Sequence, residues 1–224
     1  MKKLDRSLAS KPNCLNTLSH NTHTWKNMTT RRKVQVWKEL EKFQSRICVY
    51  CESRAEQGED TGHIEHFFDK GSHVDKTFDW DNLFGCCSST QHCGHYKDQE
   101  LPGGLKRQYD PNLLIKPDKE DPEMYLKFLD SGKVREKDEL DELGQKKATE
   151  TIKALHLDAS CLNDSREQQI KRFQDKVTAI MELLDSDDET IFEDTMEEYC
   201  QIKEEALKAL HRTAIKQAVI WLEV

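Results

Sequence analysis

The stretch CVYCESRAEQGEDTGHIEHFFDKG, residues 48–71, sets two cysteines one turn apart and then, past a short loop, a Glu–His pair among apolar neighbours. Cys48-x-x-Cys51 is the knuckle spacing that lets two thiolates reach one Zn²⁺ while backbone amides hydrogen-bond the sulfurs. A closed tetrahedral site needs a second pair, and Cys86 or Cys87 with Cys93 supplies it. Five of the eight cysteines, at 14, 48, 51, 86, 87, 93, 161 and 200, fall between Cys48 and Cys93. In a reducing cytosol such clustering reads as metal ligation rather than disulfide bonding, and no βαβ context surrounds the CxxC to make it a thioredoxin-like redox pair. Cys14, Cys161 and Cys200 stand alone and are expected to be small buried hydrophobes.

In GHIEHFF, the ionisable Glu65-His66 sits between Ile64 and Phe67-Phe68. Burying such groups costs several kcal/mol unless they bind something. Strict strand alternation would put Glu65 and His66 on opposite faces, and His63 on the face of Glu65.

Working outward, residues 1–27 are polar and irregular and are expected to wrap the surface. A helix is expected from Thr30, capped by Thr29 or Thr30, with Val34, Trp37, Leu40 and Ile47 inward. GEDTG, 58–62, reads as a turn, HIEHFF as a short strand, NLFGCC (82–87) as a second, and HCGHYKDQE (92–100) as a helix stopped by Pro102, Gly103 and Gly104. The order suits a ββα unit assembled around metal. Beyond it come a docking strand or turn with a short helix, then a helix near 144–156 with Ile152 and Leu155 inward. A capping box, Ser165 to Gln168, is expected to open a helix lined by Ile170, Phe173, Val177, Ile180 and Leu184. An acidic hinge over 183–198 leads to a last helix, about 197–222, with Ile202, Leu210, Ala214 and Val219 on its apolar stripe.

The expected fold class is thus α+β, mostly α, with a zinc-braced core domain over 1–120 and an acidic helical region over 121–224. At 224 residues and 36% hydrophobic, any core is compact. No apolar run approaches the roughly 18 residues of a membrane span, and the N-terminal lysines precede no apolar signal region, so the expectation is a soluble cytoplasmic protein. The net charge of −8 is unevenly spread: residues 1–120 hold 19 Lys+Arg against 17 Asp+Glu, and 121–224 hold 15 against 25. The cysteine-bearing half therefore permits a nucleic-acid partner, while the acidic half would repel phosphate. The acidic helices fit a partner-docking role and equally fit packing on each other.

Together, CxYCE, GHIEHF, WxNL, CSSTQHC and CGHYK, with an early Lys-Leu-x-Arg, Trp25 before a helix, and the later DPNLLIKP, resemble an HNH endonuclease of the zinc-braced ββα-metal type. More narrowly they resemble the PtuB nuclease subunit of Septu anti-phage defence systems, a family that also stands beside retrons. The likeness covers most of residues 1–170 and is weak in the acidic tail. It implies a metal-dependent endonuclease cutting DNA in antiviral defence, in complex with an ABC-like ATPase of the PtuA kind, with retron components among the implied partners. It implies His66 as general base, Asn82 as the residue whose amide holds the loop and orients that base, and Glu65 and His95 as ligands of a catalytic divalent metal, Mg²⁺ or Mn²⁺. It also implies a structural Zn²⁺ on Cys48, Cys51, Cys87 and Cys93, preferring Cys87 over Cys86. Many HNH proteins place His or Asn immediately after the last cysteine, where this chain has Gly94, so His92, or neither histidine, stands as the alternative to His95; strand alternation separately offers His63, on the face of Glu65, as the co-ligand. A different class remains beside this one: a zinc-stabilised nucleic-acid-binding or adaptor module without catalysis.

Overall fold

The computed structural model describes residues 1–58, 60–184 and 189–221. It is an α+β protein. Among the described residues, six α-helices accompany three separate two-stranded antiparallel sheets.

The chain enters through 3₁₀ turns at Arg6–Leu8, Asn13–Thr17 and Trp25–Asn27. These wrap α1 (Thr30–Gln44), whose Trp37, Leu40 and Phe43 are buried. Val34, expected inward, is exposed. Its position lies off the stripe that meets the core. The helix stops at Ser45 in the left-handed region. The Gln44 amide then reaches across to Gly85, donating to its carbonyl at 2.9 Å and accepting from its N–H at 2.9 Å. Only glycine fits at 85, because a Cβ there would stand 2.7 Å from the Trp37 ring.

Strand β1 (His63–His66) pairs with β2 (Leu83–Cys86) in regular antiparallel register, His63 opposite Cys86 and His66 opposite Leu83. After β2 comes the short α2 (Cys93–Lys97), and then the hairpin β3 (Glu100–Leu101) and β4 (Leu105–Lys106) turns at Gly103-Gly104. The segment expected as a docking strand or turn with a short helix instead holds a 3₁₀ turn at Pro122–Met124 and a hairpin, β5 (Leu126–Phe128) with β6 (Val134–Glu136). Leu126, Phe128 and Val134 are buried and their neighbours are not, the alternation of a half-buried hairpin.

Helix α3 (Glu142–Leu155) is capped by Asp141, whose carboxylate accepts from Gly144 N–H at 2.7 Å. Helix α4 (Ser160–Leu184) begins five residues before the expected capping box. Ser165 lies inside it, its hydroxyl 2.9 Å from His211 Nε2, so a distant partner takes the group that looked like a local cap. Ile170, Phe173, Val177 and Ile180 are buried as expected. The side chain of Leu184 and residues 185–188 of the expected hinge lie outside the described part. The last expected helix divides: α5 (Glu189–Lys208) begins earlier, and α6 (Arg212–Ala218) follows a left-handed break at His211. The expected end at residue 222 also lies outside the described part. Ile202, Ala214 and Val219 are buried, but Leu210, at that break, is exposed.

Two buried charge clusters join distant segments. Arg6 donates to Asp118 Oδ2 at 2.7 Å and to the carbonyls of Trp80 and Leu83 at 3.0 and 3.2 Å, its guanidinium lying over the rings of Phe43, Trp80 and Phe84. Burial alone would raise the Asp118 carboxyl, but hydrogen bonds from Lys116 and Arg6 hold it below its usual value. A depressed carboxylate stabilises the fold above its unfolded value near 3.9, and that contribution is lost only as pH falls through the lower folded value. Asp118→Asn is therefore expected to cost about 1–3 kcal/mol at neutral pH. In thermal melts the gap to wild type should stay constant between about pH 8 and 5; a gap that closes within that window contradicts the assignment.

The second cluster ties the C-terminal helices to the cysteine knuckle. Glu52 takes Thr213 N–H at 2.8 Å and the Thr213 hydroxyl at 2.6 Å, with the N-terminal amine 3.6 Å away. His211 Nδ1 donates to the Cys51 carbonyl at 2.8 Å.

Candidate metal centre and adjoining cleft

The four sulfurs of Cys48, Cys51, Cys87 and Cys93 are buried and lie within 4.8 Å of one another. Zinc–sulfur bonds of about 2.3 Å place the corners of a tetrahedron about 3.8 Å apart. Cys48 and Cys93 are separated by 3.9 Å, and Cys51 and Cys87 by 3.8 Å. The set can hold a structural zinc. Among the described residues it is the one group of three or more His, Cys, Asp or Glu side chains so gathered. Cys86 lies outside it: its sulfur is 3.7 Å from Cys48 and accepts the Gly94 N–H at 3.4 Å. Cys87, just past the end of β2, is the residue that completes the four.

The surroundings suit a centre that carries net negative charge once four thiolates bind one divalent ion. Ser53 N–H points at the Cys51 sulfur at 3.4 Å, and Arg166 is buried nearby, donating to the carbonyls of Leu157 and Gly132. Glu52 and Cys93 both adopt left-handed φ near +63°, backbone that L-residues hold only when neighbours fix it. Of the lone cysteines, Cys14 is buried, but Cys161 and Cys200 are exposed on the outer faces of α4 and α5, correcting the expectation for those two.

On the other side of the β1–β2 hairpin lies a different constellation. Glu65 is buried, and its two oxygens have separate partners. Oε1 meets the Tyr50 hydroxyl and the Lys97 ammonium, each at 3.2 Å, and Oε2 meets His63 Nε2 at 3.2 Å. Burial would raise this carboxyl, but Lys97 and His63 outweigh it and hold it at about 2. His95, from α2, lies against His63 with ring centroids 3.9 Å apart. Desolvation and the neighbouring His63 lower its pKa. Only glycine can follow Cys93, since a Cβ at Gly94 would stand 2.2 Å from Glu65 Oε2.

His66 has another set of neighbours. Its Nε2 is 3.0 Å from the Thr77 carbonyl, which can only accept, so Nε2 carries the hydrogen and Nδ1 the lone pair. The Trp25 ring packs against it at 4.3 Å, nearly perpendicular, leaving His66 only 3% exposed. Desolvation, then the nearby Lys70, lowers its pKa to about 4. Asn82 spends its amide on the loop between the strands: Oδ1 accepts Phe68 N–H at 2.7 Å, and Nδ2 donates to the carbonyls of Phe68 and Lys76 at 3.0 Å. That loop carries Thr77, and so the partner of His66.

The structure thus brings Glu65 and His95 together through His63, while His66 stands apart under Trp25. His92, an alternative ligand, lies at the cysteine cluster instead, its Nδ1 3.2 Å from the Cys93 sulfur. The sequence reading missed the Tyr50 and Lys97 contacts to Glu65. The knuckle motif CVYC did contain Tyr50, and Lys97 follows His95 by two positions. Lys97 is buried and also paired with Asp98 at 2.6 Å.

His63 and His95 open onto a cleft of about 500 Å³ whose walls include Trp25, Lys33 and Lys70. A second hollow of about 710 Å³ shares those three residues and adds Lys26, His20 and His23. No helix among the described residues is long and apolar enough to cross a membrane. In comparisons with known proteins, the chain matches no family model and no curated protein.

Proposed function

We propose that the protein is a metal-dependent HNH endonuclease that hydrolyses DNA phosphodiester bonds in anti-phage defence, acting with an ABC-like ATPase subunit. The observation that carries this reading is the His63–His95 pair lining a lysine-walled cleft, with the buried Glu65 carboxylate 3.2 Å behind His63. A four-cysteine cluster ties together the strands and helix that present these groups.

Glu65 and His63 are adjacent donors, and His95 would have to turn toward them to complete a divalent-cation site. Mg²⁺, an oxygen-preferring ion, would rest on the carboxylate and several waters, whereas the imidazoles favour a softer ion such as Mn²⁺. Glu65 Oε2, His63 and His95 are the residues that would hold it, and when bound the ion supplies Lewis-acid stabilisation to the phosphate and the leaving oxygen. His66, neutral at pH 7, offers Nδ1 to take a proton from the attacking water. Thr77 fixes its ring, and Asn82 fixes the loop that bears Thr77. Trp25 covers His66 and also lines the cleft, so it stands between the base and a substrate seated there. Lys33 and Lys70 offset the phosphate charge in a chain that is acidic overall.

One observation favours the rival reading, a zinc-stabilised binding or adaptor module: Lys97 already neutralises Glu65, as in a purely structural ion pair. Incubation with supercoiled plasmid separates the two. The endonuclease reading expects nicked or linear product only with added Mg²⁺ or Mn²⁺, from the protein alone or co-purified with its ATPase, and much less from the Lys33→Glu/Lys70→Glu variant. DNA binding without scission, even with the ATPase present, selects the module instead.

A further inference from the structure

Behind Lys97, away from the His63–His95 cleft, lies a polar cavity of about 230 Å³, lined by Asp69, His73, Lys97, Asp98, Lys106 and Arg107 among others. Its two carboxylates are already engaged. Asp69 binds Lys106 at 3.1 Å and the hydroxyl and N–H of Ser72 at 3.2 and 3.1 Å. Asp98 binds Lys97 at 2.6 Å and the Tyr109 hydroxyl at 3.3 Å. Lys97 also pairs with Glu65 at 3.2 Å, so its charge is met, and of the three cations Arg107 is the one without a carboxylate partner among the described residues.

Two nitrogens in the same lining have no partner. Arg107 Nε and His73 Nδ1 are both buried without a hydrogen bond. Arg107 is held in place by the Tyr96 ring, 3.7 Å from its guanidinium carbon, and by Gln99, which accepts from Nη2 at 3.0 Å. An arginine is always a donor, and a buried donor without an acceptor is destabilising. An anion supplying acceptor oxygens would give that guanidinium the charged partner it lacks.

We propose that this cavity binds a phosphoryl group, with Arg107 and Lys106 as its principal contacts and His73 lending a further hydrogen bond. A planar guanidinium matches the spacing of phosphoryl oxygens, and a lysine adds a point charge. Lys97 links the site to the cleft, since its ammonium touches Glu65 on one side and lines this cavity on the other. The assignment does not depend on catalysis and is tested without it.

Zinc-loaded full-length protein, without added divalent cation and at low ionic strength, is titrated calorimetrically with inorganic phosphate, a 5′-phosphorylated oligonucleotide, and the same oligonucleotide lacking that phosphate. Saturable binding of inorganic phosphate is expected, weakened about tenfold or more in Arg107→Gln and in Lys106→Gln, with zinc content and circular dichroism unchanged. Equal affinity for inorganic phosphate and the phosphorylated strand identifies a free-anion site; a preference for the phosphorylated over the unphosphorylated strand identifies a nucleic-acid end. Either outcome supports the proposal. No saturable binding of any phosphate by wild type, or an affinity that neither substitution changes, overturns it.

Discussion

His66→Ala is expected to reduce DNA scission by about 10²–10⁴-fold, the usual contribution of a positioned general base. Substrate affinity should hardly change, because His66 is covered by Trp25 and does not line the cleft. The loss should therefore appear in turnover rather than in binding. The pH profile gives a second readout. Desolvation and the neighbouring Lys70 keep His66 neutral down to about pH 4, so the acid limb should lie well below the range of an ordinary histidine. Removing the ring also deletes its contact with Trp25 and the bond to Thr77, so His66→Gln, which retains a donor, is the fold control. Normal melting with lost scission in His66→Gln supports the assignment. Full scission in a well-folded His66→Ala protein, free of contaminating nuclease, removes the base.

The second large effect falls on stability. Stripping the metal, or replacing Cys51 by Ser, is expected to unfold the knuckle and loosen what leans on it. Structural zinc contributes free energy comparable to a domain's entire stability of about 5–15 kcal/mol. The consequences reach the C-terminal helices, because His211 and Thr213 grip the backbone of Cys51 and the side chain of Glu52. Circular dichroism should accordingly show loss of helix beyond α1 and α2. Cys87→Ser should behave as Cys51→Ser does, whereas Cys86→Ser should keep its zinc and lose only packing. If Cys87→Ser melts like wild type while Cys86→Ser does not, the ligand set is wrong by one residue.

Much of this was readable from the chain wherever local signals and tertiary demands agree. Helix α1 and the β1–β2 hairpin fall where the periodicity puts them; α2 fills only Cys93–Lys97 of the expected 92–100 before β3 takes over, and spacing fixed three of the four cysteines while leaving Cys86 and Cys87 open. His63 was legible through strand parity with Glu65. The failures came where a distant partner overrides a local cue. Ser165 carries the capping signature, yet its hydroxyl serves His211, 46 residues on. The break at His211 uses a left-handed residue that is not glycine, held by Cys51 and Ser165, and nothing in its neighbouring sequence announces it. The β5–β6 hairpin did leave a signal, Asp130-Ser-Gly132 between alternating apolar positions. Gly132 has φ +71°, and a Cβ there would stand 2.0 Å from the Asn163 carbonyl. The partners of Glu65 were hidden because Lys97 is a charged residue on a short helix, a type ordinarily left in solvent.

Everything in the site depends on four thiolates closing around one ion. X-ray absorption at the zinc edge, on carefully purified protein with metal content measured alongside, addresses that directly. The account predicts one zinc per chain with four sulfur neighbours at about 2.3 Å. Clearly less than one zinc per chain, or a shell containing nitrogen or oxygen in place of a sulfur, would contradict it.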